Sequence, residues 1–289
     1  MQSSQREVRT VVRSAYDMQK MRMMFGLRIV NDFKARLGQE PSKKEDDLSP
    51  EAQKILKAMR AANERITDGV AKLPNTEDVY GGMPLIETKA QRLLVQQYDT
   101  MLGHEDAMFK ELEKVLREFP IYTEYLKPEV KGCGPRIAGL LIGELDINKP
   151  YPSCFHKYAG LDVGPDGRGR SRRKEHLVDV EYTDKDGKVA TRKGITYNPQ
   201  LKTQMWKLAK SFVMAGGHYR EIYDAYKHRI ETDPRHAEKT KGHRNNMALR
   251  YVAKMFLTDL HVRWREIAGL PVSKSYHEGK QGHVHRQAV

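Results

Sequence analysis

A chain of 289 residues is long enough to bury a substantial core without disulfides or a structural metal. Its two cysteines, Cys133 and Cys154, have no second Cys or His at zinc-finger spacing, which excludes a disulfide framework and points to a reducing, cytoplasmic setting, nucleoid-associated in a bacterial host. No apolar run reaches the ~20 residues that span a bilayer, and the opening MQSSQREVRT is polar, so neither membrane insertion nor a secretory leader is expected. The net charge of +13 is not evenly spread. Residues 1–130 carry 21 basic and 21 acidic side chains, whereas residues 131–289 carry 30 and 17. A neutral half joined to a basic half points to assembly on one side and a polyanionic partner on the other.

In chain order, residues 1–86 read as a helical hairpin region. Val12, Tyr16, Met23, Val30, Phe33 and Leu37 follow steps of four and three, with Gln19 and Gly26 in two slots of the same stripe. A second helix is expected from Ser49-Pro50, with Ile55, Met59, Ala62, Ile66, Val70 and Leu73 on one face. Residues 87–120 contain the most regular helix of this half. Leu94, Tyr98, Met101, Met108, Leu112 and Val115 form a coiled-coil-like seam broken at Glu105, whose partner is either another copy or a helix of the same chain.

Residues 121–271 differ in texture. Asp186-Gly187 between alternating residues predicts a small β-hairpin. Three amphipathic helices should follow, near Pro199–Ala215, His218–Glu231 and Asn245–Ile267, with Met205, Trp206 and Phe212 as core. Residues 272–289 are expected to be a disordered tail. The expected class is mainly α, with a helical N-terminal part ahead of a basic domain.

The stretch Val130-Lys131-Gly132-Cys133-Gly134-Pro135-Arg136, with Ala138 following, has the helix-hairpin-helix pattern. Its glycines let the chain turn with N–H groups exposed, and those donors at a helix start suit one phosphate. Lys131, Gly132, Gly134 and Arg136 are the expected contact residues. Downstream, GRGRSRRK sets Arg168, Arg170, Arg172, Arg173 and Lys174 in a glycine-spaced loop suited to phosphate contacts, and Lys193 extends the track. His218, His228, His236 and His243 lack partners at ligand spacing and read as surface residues; no metal or cofactor is expected.

Four segments in order resemble the C-terminal domain of transposases of the insertion-sequence 110/116/902 family. They are GCGPRIAGLLIGELDI, YPSCFHKYAGL, RKGITYNPQLKTQMWKLAKSF and KGHRNNMALRYVAKMFLTDL. The resemblance implies a helix-hairpin-helix transposase-like domain and DNA or structured RNA as partner, branched DNA included. The family's N-terminal RuvC-like domain, with four metal-binding acidic residues, has no counterpart in the helical pattern of residues 1–130. Where the family carries a serine followed by glycine, this chain has Asp166-Gly167, and the nearest serine, Ser171, precedes Arg172. The expectation is a nucleic-acid-binding relative of a transposase, dimeric or of higher order and without catalysis. Two alternatives stay open: an active serine-type transposase or recombinase subunit using Ser171 or Asp166, and a mobile-element protein that inhibits or scaffolds another protein.

Overall fold

The computed structural model describes residues 3–36, 50, 79–80, 83–84 and 87–273. The chain is mainly helical and divides into two compact units: Thr10–Leu112, and Met1–Arg9 together with Glu113–Val289. The expected helix around Ile55–Leu73 and most of the expected tail lie outside the described residues.

In the first unit, α1 (Ser3–Arg36) pairs with α2 (Lys89–Leu116). Thr88 and Gln91 form a reciprocal cap at the start of α2: Thr88 Oγ1 accepts the Gln91 N–H at 3.2 Å, and Gln91 Oε1 accepts the Thr88 N–H at 2.8 Å. Two of the three breaks in the apolar stripes, Gln19 and Glu105, meet each other. Gln19 donates to Glu105 at 2.9 Å, and Arg22 closes a buried ion pair with the same carboxylate at 2.7 Å while also donating to Tyr98 Oη. The buried stripe of α1 therefore runs through Val12, Ala15, Arg22, Gly26 and Ile29 instead of through Tyr16 and Met23. A paired arginine occupies a core position that its charge disguises in the sequence. On α2, Phe109 is buried against Tyr16 and Met108 is exposed. The seam's partner is thus a helix of the same chain. A two-residue antiparallel hairpin, β1 (Val79–Tyr80) and β2 (Met83–Pro84), completes the described part of this unit.

The second unit is organised around one long helix. After a π-helical turn at Ile121–Leu126 come α3 (Pro135–Glu144), α4 (Pro152–Tyr158), the hairpin β3 (Val178–Thr183) and β4 (Val189–Gly194), α5 (Pro199–Ala215), α6 (His218–Thr232) and α7 (Lys241–Ile267). Helix α7 packs against α4, α5, α6 and the π turn. Phe212, Tyr219 and Phe256 form its aromatic centre, with ring centroids 4.5–5.5 Å apart, and Tyr219 Oη lies between Tyr125 Oη and Asp259. Met205 and Phe212 are core, as their helical spacing predicts, and Trp206 is half-buried. The hairpin is solvated on both faces, with the antiparallel pairing Val178↔Gly194 to Thr183↔Val189.

Helix α5 matches its expected limits because Asn198 caps it, accepting from the Gln200 and Leu201 N–H groups, and Pro199 occupies the first helical position. The same Asn198 donates to Glu144 at 3.2 Å. That buried carboxylate also binds Arg9 at 2.9 Å and Tyr158 Oη at 3.1 Å. Gln5 caps the end of α3 through the Ile142 and Leu145 carbonyls, so the first turns of α1 belong to the basic unit. Helix α7 starts four residues before its apolar pattern does, because Thr240 Oγ1 accepts the His243 N–H.

His156 is half-buried under α7, its Nε2 3.0 Å from the Lys254 carbonyl, and desolvation of the ring lowers its pKa to about 4 from the ordinary 6.5. The folded form thus resists protonation that the unfolded chain accepts, and stability falls as pH drops from about 6.5 towards 4, by up to about 3 kcal/mol. Both tryptophans, Trp206 and Trp264, lie in this unit, so urea unfolding followed by their fluorescence reads it directly. The midpoint should fall between pH 7 and pH 5 in the wild-type protein and fall less in His156→Gln, whose amide can replace the Nε2 donor.

Candidate nucleic-acid interface

The glycine turn packs between two elements of the basic unit. Gly132 has φ +91°, and a Cβ there would lie 3.0 Å from Ser211 Oγ and 3.2 Å from the Ser211 backbone, so glycine is needed for both conformation and space. Its carbonyl accepts from Ser211 Oγ at 2.8 Å. Gly134 is the extended N-cap of α3, with Pro135 at the first position and no side-chain cap. The N–H groups of Gly132 and Gly134 donate to no protein acceptor among the described residues. Lys131 is exposed beside Gly217, in the turn that joins α5 to α6. Arg136 is half-buried in the first turn of α3. Cys133 is buried within the turn, which pushes its thiol pKa up to about 12 and leaves it unreactive.

The arginine loop is ordered by hydrogen bonds because it has little apolar material to bury. A bridge between Val163 and Gly169 closes a tight tip, with Gly167 at φ +71°. The buried imidazole of His176 is its post. Nδ1 lies 3.0 Å from both the N–H and the Oγ of Ser171, and Nε2 lies 2.9 Å from Asp166 Oδ1. An acceptor role for Nδ1 towards the backbone N–H assigns the proton to Nε2, which then donates to Asp166. A Cβ at Gly164 would fall 2.5 Å from the His176 ring, so glycine is the residue that lets the chain cross the imidazole. The Arg168 N–H and then the His176 bond stabilise the Asp166 carboxylate and hold its pKa below the ordinary carboxylate value. Order from this acceptor is present above the unfolded carboxylate value and is lost as pH falls through the lower folded one.

The expected track residues part company. Arg168, Arg172, Arg173 and Lys174 are exposed. Arg173 approaches Asp166 only at 3.9 Å, and the other three make no ion pair among the described residues. Arg170 is instead committed internally, in a 2.7 Å pair with Asp162. Lys193 stands on the hairpin opposite Asp179, 2.8 Å from its carboxylate. The glycine turn and the loop do not touch the same point of α5. The turn rests on Ser211, and the loop is held at Lys202, whose Nζ donates to the Arg170 carbonyl. Nine residues of helix separate those anchors, a rise of ~14 Å.

Ser171 and Asp166, unconnected in the sequence pattern, are brought together through His176. Nothing in the sequence singles out His176, which stands in the charged run RRKEHL. The loop is further tied down by Arg250 of α7, which donates to the Leu161 carbonyl at 2.7 Å and to the Asp162 carbonyl at 2.5 Å. Arg250 and Lys202 lie within two of the family-like segments, but nothing in those segments singles them out. Of the histidines read as surface groups, His218, His228 and His243 are exposed, and His236 lies in a short 3₁₀ turn after α6.

No protein-family model, curated protein or solved structure matches the chain.

Removing the post should release the loop and leave the helical core standing. In His176→Leu the Ser171 amide is expected to exchange with solvent at least ~10-fold faster than in the wild-type protein, since it loses a buried acceptor, while amides of α7 keep their protection. Exchange mass spectrometry or NMR checks both.

Proposed function

We propose that the chain binds nucleic acid through its phosphate backbone, as a relative of the transposases it resembles. The carrying observation is the arginine loop, whose backbone is pinned by His176, Arg250 and Lys202 while Arg168, Arg172, Arg173 and Lys174 stay exposed. Cations presented on an ordered frame lose less freedom on binding than cations on a free tail, and guanidinium groups match phosphate geometry. The glycine turn supplies a second grip, with donor N–H groups beside Lys131 at an uncapped helix start. Contacts of this kind fix position and read no sequence. A homo-dimer would have to use a surface other than the α2 seam, whose buried positions face α1.

Replacing Arg168, Arg172, Arg173 and Lys174 together by Ala should weaken binding of unrelated duplexes to the same extent. It should also flatten the dependence of log K on log salt by roughly 3 to 4, near 0.9 for each phosphate that is no longer neutralised. Gel-shift titration at two salt concentrations reads both quantities. An unchanged slope contradicts the proposed track, and Arg170→Ala, which breaks an internal pair instead, serves as the comparison.

The Ser171–His176–Asp166 chain favours a second reading, a serine nucleophile acting on a phosphodiester. Ser171 Oγ would bond to phosphorus as its proton passes to Nδ1 of His176, and the P–O bond to the departing sugar would break, that oxygen leaving as a hydroxyl by taking the proton from the imidazolium. The Ser171 N–H competes for the same lone pair, which is why binding is the preferred reading. A covalent protein–DNA adduct that disappears in Ser171→Ala would decide for the nucleophile; its absence with cleavable and branched substrates leaves the phosphate grip as the function.

A further inference from the structure

Beneath the arginine loop, cations outnumber their counter-charges. Among the described residues, Asp162 is the carboxylate whose charge reaches Lys202, Arg250 and Lys254, and its Oδ2 is already engaged by Arg170 at 2.7 Å. Lys202 and Arg250 have partners, but these are the neutral carbonyls of residues 170, 161 and 162. Lys202 also lies 4.7 Å over the Tyr197 ring. Gly169 passes so close to Arg250 that a Cβ would lie 2.5 Å from Nη1. Lys254 follows Arg250 by one helical turn on the same face of α7, and its Nζ makes no hydrogen bond or ion pair among the described residues. Burial and the neighbouring guanidinium of Arg250 lower the pKa of both lysines.

A partly buried positive charge without an anion is costly, and several together repel one another. The loop-holding roles of Lys202 and Arg250 explain why those two cations are present and leave Lys254 without a role. We infer that Lys202, Arg250 and Lys254 form a phosphate-binding site under the arginine loop, in which Lys254 contacts the anion directly. Arg170, held by Lys202 through its carbonyl, is the residue before Ser171, so the site adjoins the Ser171–His176 pair. The occupant is a phosphate group, assigned to the backbone of the bound nucleic acid; that source rests on the nucleic-acid reading, whereas the site itself does not.

The test uses the full chain, inorganic phosphate and a short duplex. At matched ionic strength, phosphate should raise the thermal midpoint more than chloride does. In Lys254→Met the phosphate affinity drawn from these shifts should fall about tenfold, the usual scale for one charge-assisted hydrogen bond, and Lys254→Arg should restore it. In chloride alone Lys254→Met should melt at or above the wild-type midpoint, because it removes a repelling charge; a charge needed only for folding predicts a lower midpoint. If the source is the nucleic-acid backbone, Lys254→Met also weakens duplex binding, and phosphate competes with duplex for the wild-type protein but not for the variant. If duplex binding is unchanged while phosphate binding disappears, the site stands and takes a free phosphate. Equal phosphate effects in wild type and Lys254→Met, or no phosphate-specific effect in the wild type together with unaltered duplex binding in the variant, overturn the site. Loss of duplex binding in the arginine-loop variant alone bears on the broader reading and not on this one.

Discussion

The constraint on which the basic unit turns is that a loop with almost nothing apolar must be held by hydrogen bonds. GLDVGPDGRGRSRRK cannot bury enough side chain to order itself. Order comes from polar groups that answer its backbone: the buried His176 for the Ser171 N–H, and the half-buried Arg250 for two carbonyls and Lys202 for a third. Each anchor comes from a different element, so the loop's shape depends on the packing of α5 against α7. The glycines at 164 and 169 are where the chain crosses those anchors too closely for a side chain.

That arrangement sorts the cations by role. Arginines and lysines that hold the loop lie beneath it, where low water content strengthens their bonds to carbonyls and raises the cost of their mutual repulsion. Those that remain on top, Arg168, Arg172, Arg173 and Lys174, stay exposed to solvent. Arg170 falls on the inner side of this division although it sits in the middle of the basic run, because Asp162 lies across the bridge from it. Lys193 is set apart by the hairpin, where Asp179 answers it. A count of positive residues in the sequence cannot make that separation, since it depends on which carboxylate the fold brings near.

Elements whose signals are local were legible in the sequence. Helix α5 has Asn-Pro at its start, the hairpin has Asp-Gly at its turn, and both lie where those residues place them. What was not legible depended on pairing across the chain. Gln19 and Glu105 look like flaws in two apolar stripes, yet they are one polar contact shared with Arg22, and the register of α1 shifts to accommodate it. The start of α1 reads as part of the N-terminal region, but Gln5 and Arg9 serve the end of α3 and its buried Glu144. His176, Lys202, Arg250 and Lys254 follow the same rule: each is an ordinary polar residue until the fold gives it a neighbour.

Amide hydrogen exchange of the full chain, with and without a short mixed-sequence duplex at low salt, tests the central claim most directly. The account predicts added protection at two separated segments together, residues 131–134 and residues 163–176, with the exposed hairpin Val178–Gly194 unchanged. Protection confined to the hairpin, or none in either segment at saturating duplex, would contradict it.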